Sequence, residues 1–149
     1  MFKVAVIGAG STYTPELVDG ILRRREILPV EELVLMDIDE RKLRIVGALA
    51  QRMAAHVDEK LRVGLTMDLD DALDKATFVM AQIRVGKLPA RHLDESIPPT
   101  FGLIGQETTG IGGFFKGLRT IPVMMDIAGR MAARCPDAWL INFSNPSGM

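Results

Sequence analysis

Short apolar runs alternate along this chain with longer stretches in which apolar positions recur every three or four residues. The first run, Lys3 to Ile7, contains the β-branched Val4, Val6 and Ile7, and Leu33 to Met36, Leu61 to Leu65, Phe78 to Ile83 and Trp139 to Phe143 follow it. Runs this short with almost no polar alternation predict strands buried on both faces. Between them Leu17, Val18, Ile21 and Leu22 form one helical stripe, and Leu43, Val46, Ala50, Met53 and Val57 form another. Thr14 is expected to cap the first helix, with Pro15 at its first position, where a missing N–H leaves nothing unsatisfied. Asp39, immediately before Glu40, fits the cap of the second. A third crossover, Asp68 to Lys75, is short. Strand and helix in alternation predict an α/β fold, a doubly wound parallel sheet, because parallel neighbours need crossover connections.

The pattern lapses after Phe78 to Ile83. The residues that follow include Gly86, Gly102, Gly105, Gly110, Gly112 and Gly113 with Pro89, Pro98 and Pro99, a density of breakers that predicts an ordered loop. The stripe Leu118, Ile121, Met125, Ala128 and Ala132 then predicts a helix that Pro122 should kink or restart. The 149 residues suit one domain, and a chain of this size buries about 70% of its unfolded surface. Ser144-Asn145-Pro146-Ser147-Gly148-Met149 comes directly after a strand, where doubly wound enzymes continue into a second domain. Residues 1–149 therefore read as the nucleotide-binding, Rossmann-like domain of a longer two-domain protein, with the C-terminal domain absent.

Charge adds mainly exclusions. Lys and Arg number 18 against 19 Asp and Glu, so no whole-chain field draws the protein to nucleic acid or to an anionic membrane. The apolar N-terminal run breaks at Gly8, too soon for a signal peptide or a membrane span, and a cytoplasmic location is the expectation. Cys135 is the sole cysteine; it reads as a small hydrophobe at a helix end and cannot hold a metal by itself. His56 and His92 lie apart from any metal-ligand spacing and read as structural or surface residues. No metal site is expected within the chain.

Candidate chemistry begins at Gly8-Ala9-Gly10-Ser11. Gly8 permits a tight turn after the first strand, Gly10 allows a backbone to approach a pyrophosphate, and the helix opening at Thr14 to Glu16 offers N–H donors and a positive dipole end. Tyr13 stands where the usual fingerprint has a third glycine. Asp37 ends the second strand, where a carboxylate accepts ribose hydroxyls; it also repels a 2′-phosphate, so NAD is expected rather than NADP. Arg84 ends the fourth strand and Arg91 follows seven residues later, and guanidinium suits bidentate capture of phosphate or carboxylate. The run Gly105-Gln106-Glu107-Thr108-Thr109-Gly110-Ile111-Gly112-Gly113 places a carboxamide, a carboxylate and two hydroxyls among glycines, a composition that points to a site.

The segments Gly8 to Leu17, Asp37-Ile38-Asp39, Ile83-Arg84-Val85-Gly86, Asp94 to Pro98, Phe101 to Gly110 and Asn142 to Gly148 resemble, in order, family four of the glycoside hydrolases. Within it, Tyr13 and Thr109 are similar to the branch acting on 6-phospho-β-glucosides. Lys87 stands where many members of that branch have a second glycine, and Phe101 where tyrosine is usual. The resemblance implies hydrolysis through NAD: oxidation of the sugar at C3, removal of the C2 proton, elimination of the aglycone, addition of water and return of the hydride. It implies a divalent metal, usually manganese, in the full-length enzyme.

Carried over by position, Gly8, Gly10, Ser11, Thr12 and Asp37 would hold NAD, with Arg84 near the cofactor. Arg91 and Asn145 would contact the substrate, a phosphorylated disaccharide or aryl glucoside. Glu107 would tune a tyrosine base lying beyond Met149, as do the metal ligands. The chain alone is thus expected to bind NAD without hydrolysing a glycoside, and its exposed interface to favour a homo-oligomer. A lactate- or malate-type dehydrogenase and a non-catalytic nucleotide sensor are the alternatives; net consumption of NAD would mark the first.

Overall fold

The structure, a computed structural model, describes residues 2–57, 60–145 and 147. Pro146 and Gly148 of the Asn-Pro segment lie outside the described residues. The elements are β1 (Phe2–Ile7), α1 (Thr14–Arg23), β2 (Val30–Met36), α2 (Glu40–Val57), β3 (Arg62–Thr66), α3 (Leu69–Leu73), β4 (Phe78–Ala81), α4 (Lys87–Ser96), a 3-10 turn (Pro98–Phe101), α5 (Gly110–Arg134) and β5 (Trp139–Asn142). The chain divides into two compact units: Met1–Gln82 with Arg130–Asn142, and Ile83–Gly129 with Phe143–Met149.

The first unit holds the sheet, five parallel strands in the order β3-β2-β1-β4-β5. Every apolar run forms a strand. Register pairs Val4 with Leu33 and Val6 with Leu35, so these alternate residues share one face. Val18, Ile21 and Leu22 of α1 and Leu43 of α2 join them in a single apolar core. Burying one such side chain contributes ~1.5–3 kcal/mol. The expectation of burial on both faces holds for the ends of the central strands, where Val4 to Ile7 and Leu33 to Met36 are all buried. It fails for β3 and β5: each has one neighbour, half or more of their residues are exposed, and Trp139 is 71% exposed.

Helix ends show which side chains fix the connections. Asp39 caps α2, its Oδ1 accepting the Lys42 N–H at 3.2 Å. Asp68 caps α3 by accepting the N–H groups of Asp70 at 2.8 Å and Asp71 at 3.3 Å. Asp70 in turn accepts from Arg134 at 2.9 Å and Arg130 at 3.2 Å, and these guanidiniums hold its carboxyl below the usual range. Thr14 departs from expectation. Tyr13 occupies the cap position without a side-chain bond, and Thr14, the first helical residue, is fully buried. Its hydroxyl turns back to donate to the Ala9 carbonyl at 2.8 Å, satisfying the turn rather than the helix.

The second unit replaces the expected loop with α4 and the 3-10 turn. Gly86 enters α4 at φ 81°, a left-handed conformation that glycine adopts without strain, and Pro89 falls in the first turn, where no helical N–H is needed. Gly102 and Gly110 likewise adopt positive φ, 71° and 61°, whereas Gly105, Gly112 and Gly113 serve close backbone packing. A Cβ on Gly105 would lie 1.9 Å from the Glu95 carbonyl, and one on Gly112 would lie 1.9 Å from that of Gln106. α5 continues through Pro122 as one helix, so of the expected kink or restart the restart is not found. Cys135, just past its end, is buried and free.

Leu35 of β2 is fully buried in the apolar core, so Leu35→Ala should lower the unfolding free energy by about 2–5 kcal/mol. Ile45→Ala, on the exposed side of α2, should change it by less than about 0.5 kcal/mol. Urea denaturation of both variants checks the contrast.

Candidate functional site

In the first unit the glycine turn sits at the carboxyl end of β1, and Asp37 ends β2 beside it. Gly8 adopts φ 89°, a conformation open to glycine, and its N–H and that of Ala9 both donate to the Met36 carbonyl at 2.9 Å. The Gly10 N–H donates to Asp37 Oδ2 at 2.7 Å, while Oδ1 accepts the Asp39 N–H at 2.8 Å. A Cβ on Gly10 would lie 2.8 Å from both Asp37 Oδ2 and Lys42 Cβ. The second glycine is therefore required by the protein's own Asp37 and Lys42 side chains. Two oxygens of a carboxylate offer about four lone-pair sites, so Asp37 retains capacity for hydroxyl donors.

The donors expected at the helix opening are distributed differently. The Thr14 N–H donates to the Ser11 carbonyl at 3.1 Å, and Pro15 has none. Ser11 accepts the Tyr13 N–H through its hydroxyl at 3.2 Å. Among the described residues from Gly8 to Thr14, the N–H of Thr12 is the one with no protein acceptor. One residue holding this turn escapes the sequence reading. Gln82, directly after β4, donates from Nε2 to the Thr14 hydroxyl at 2.6 Å and to the Gly8 carbonyl at 3.3 Å. Its signal was a single amide inside the otherwise apolar run Phe78 to Ile83.

The second unit gathers charge around Glu107, which is 13% exposed. Arg84 Nη1 donates to Oε1 at 2.5 Å, Lys116 Nζ donates to the same oxygen at 3.2 Å, and Arg91 Nη2 approaches Oε2 at 3.2 Å. Arg91 also donates to Glu95 at 2.8 Å, and Arg119 makes a bidentate pair with the buried Asp94 while its Nε donates to the Val85 carbonyl. Burial pushes the Glu107 carboxyl up, but the bonds and charges of Arg84 and Lys116 outweigh it and hold the group below its usual range. Burial drives the Lys116 amine down, against the pull of Glu107. Gln106 accepts the Thr109 hydroxyl within the same loop.

The structure thus brings Arg84, Arg91 and Glu107 together and pairs Gly10 with Asp37. Arg84, expected beside the cofactor, belongs to the second unit and is engaged by Glu107. Asn145 is exposed in that unit, and Thr12 is exposed in the first. Lys116 and Arg119 are further residues the sequence reading missed; their signal was a pair of cations three residues apart in the otherwise apolar stretch Gly110 to Arg119 that opens α5. His56 and His92 are exposed, and the described residues contain no group of three or more His, Cys, Asp or Glu able to hold a metal.

Parallel strands in this order, with a glycine turn after β1 and an acid ending β2, define a Rossmann-like, doubly wound domain. The family 4 glycosyl hydrolase profile matches residues 3–149, and the chain belongs to that family. A Bacillus subtilis relative is 54% identical over 149 residues, 99% of this chain and 34% of its own length. The 6-phospho-β-glucosidase of Escherichia coli is 52% identical over 149 residues, 99% of this chain and 33% of its length. A 6-phospho-β-glucosidase of Thermotoga maritima, solved with manganese, NAD+ and glucose-6-phosphate, superposes with a TM-score of 0.93 at 40% identity, covering 99% of this chain and 35% of that one. The chain spans about a third of the length of these relatives.

Glu107 binds its proton less tightly in the folded chain than in the unfolded one. Its contribution to stability is full above the ordinary carboxylate pKa of about 4.3 and is lost as pH falls through the lower folded value. Thermal melts should show the difference between the parent and Glu107→Gln shrinking from about pH 6 to about pH 3. A constant difference would contradict the assignment.

Proposed function

We propose that this chain is the NAD-binding portion of a 6-phospho-β-glucosidase. The observation that supports it is the turn from Gly8 to Thr12 with Asp37 beside it, in a chain 52% identical to the 6-phospho-β-glucosidase of Escherichia coli. The residues fit the cofactor. Gly8 turns the chain, Gly10 leaves the backbone bare, the Thr12 N–H is a free donor for a pyrophosphate oxygen, and Asp37 has lone pairs for ribose hydroxyls. Its charge disfavours a 2′-phosphate there. Bound NAD supplies a hydride acceptor for a sugar carbon. This chain's residues bind and orient it: Gln82 and Thr14 brace the turn from the end of β4, and Asp37 fixes Gly10 from the end of β2.

For the second unit we assign Arg91 to the phosphate of a phosphorylated glucoside, disaccharide or aryl, because a half-exposed guanidinium suits that group. Asn145 is assigned to the sugar by its position in the family's Asn-Pro segment. Glu107, held ionised, acts as a fixed negative pole for a proton-transfer group outside this chain. The described residues do not fit a divalent metal, since none of their His, Cys, Asp and Glu side chains gather in threes or more. A cytoplasmic, homo-oligomeric protein without affinity for nucleic acid or membrane remains the reading; no helix among the described residues is long and apolar enough to cross a membrane. Neither the dehydrogenase nor the sensor alternative gains a supporting observation.

Calorimetric titration of the 149-residue chain tests this reading. NAD should bind at least about tenfold more tightly than NADP, a difference of about 1.4 kcal/mol, and the chain should release no nitrophenol from nitrophenyl 6-phosphoglucoside. Equal affinity for the two dinucleotides, no binding of either, or measurable turnover would overturn it.

A further inference from the structure

We propose that Lys116 is the positioning residue for Glu107: its ammonium, buried in α5, holds the carboxylate ionised and turned toward Arg84 and Arg91. The inference rests on the reading that Glu107 works as a fixed negative pole, and it adds the group that makes it one.

Three observations converge. Lys116 has a side chain only 3% exposed and meets Glu107 Oε1 at 3.2 Å, so this ammonium has exchanged most of its water for one carboxylate. Arg84 and Arg91 also meet Glu107, but their side chains are 36% and 41% exposed. Exposed guanidiniums are free to turn toward an incoming anion, whereas a buried amine is not. The distribution of charge is also uneven. Facing Glu107 are Arg84 from the segment before α4, Arg91 from α4 and Lys116 from α5, and next to these Arg119 of α5 is occupied by Asp94 and Arg91 by Glu95.

A carboxylate held only by the two exposed arginines would lose countercharge whenever either engaged a ligand. With Lys116 fixed beneath it, Glu107 keeps one partner throughout, and its ionisation no longer depends on whether the site is filled. A general acid or base must exchange a proton, so a carboxylate clamped in this way serves as an acceptor and a field source instead.

The test is the protonation of Glu107 itself, followed by carbon-13 NMR of its side-chain carboxyl against pH in the 149-residue chain. In the parent the midpoint should lie below that of an ordinary glutamate. Lys116→Met should raise it by about one unit or more, the scale of one close opposite charge, and Lys116→Arg should return most of the shift. A midpoint unchanged in folded Lys116→Met would overturn the proposal. If that variant does not fold, Glu107→Gln gives the reciprocal measurement. The nitrogen-15 titration of Lys116 Nζ should then move down by about one unit or more when its partner is neutralised, and an unchanged value would equally overturn it. Neither measurement uses NAD or a glucoside, so this proposal and the functional reading fail separately.

Discussion

The turn between β1 and α1 depends on one hydrogen bond, from the Gly10 N–H to Asp37 Oδ2 at 2.7 Å. It brings the ends of β1 and β2 so close that no side chain fits at Gly10, and it fixes the carboxylate that we assign to the ribose of the dinucleotide. Other contacts extend the same constraint. Gly8 and Ala9 share the Met36 carbonyl, and Gln82 reaches from the end of β4 to Gly8 and Thr14. Three adjacent strands therefore hold one short loop. The sheet order β2-β1-β4 is what makes that possible, because β1 has a neighbour on either side to brace it. The loop's own N–H groups are mostly consumed in this bracing, and among the described residues from Gly8 to Thr14 only the Thr12 N–H has no protein acceptor.

A different balance governs the second unit. Around Glu107 the chain places two exposed guanidiniums and one buried amine. Burying an ammonium carries a desolvation penalty of several kcal/mol unless a partner compensates it, and losing one member of a buried pair destabilises by about 3–5 kcal/mol. An ionic cluster of this kind is thus weak as a source of stability and strong as a device for fixing charge and orientation. The glycines at 105 and 112 serve it by letting the loop backbone lie directly against the carbonyls of Glu95 and Gln106.

The strands and first two helices were legible because their apolar periods are decided locally, and Asp39 as a cap and Gly8 as a turn follow from single-residue chemistry. What was not legible depended on partners distant in sequence. Thr14 has the identity of a cap, but Ala9 and Gln82 claim its hydroxyl. Gly10 looked like a concession to a ligand, yet its nearest constraint is Asp37. Breaker residues between Gly86 and Gly113 suggested a loop, whereas Gly86 and Pro89 sit where a helix tolerates them and α4 forms between the breakers. Lys116 shows the limit most clearly: a lysine is read as solvated until packing shows that it is buried. Membership of the family followed from motif order across the whole chain, which no single spacing supplied.

Backbone NMR of the labelled chain during titration with NAD tests whether this turn is a nucleotide site. Saturable shifts should centre on the amides of Gly8 to Thr12, largest at Thr12, together with Asp37, and should be lost in Asp37→Ala. Saturable shifts confined to other residues, or none at millimolar NAD, a level at which even a weak site of about −4 kcal/mol would fill, would contradict it.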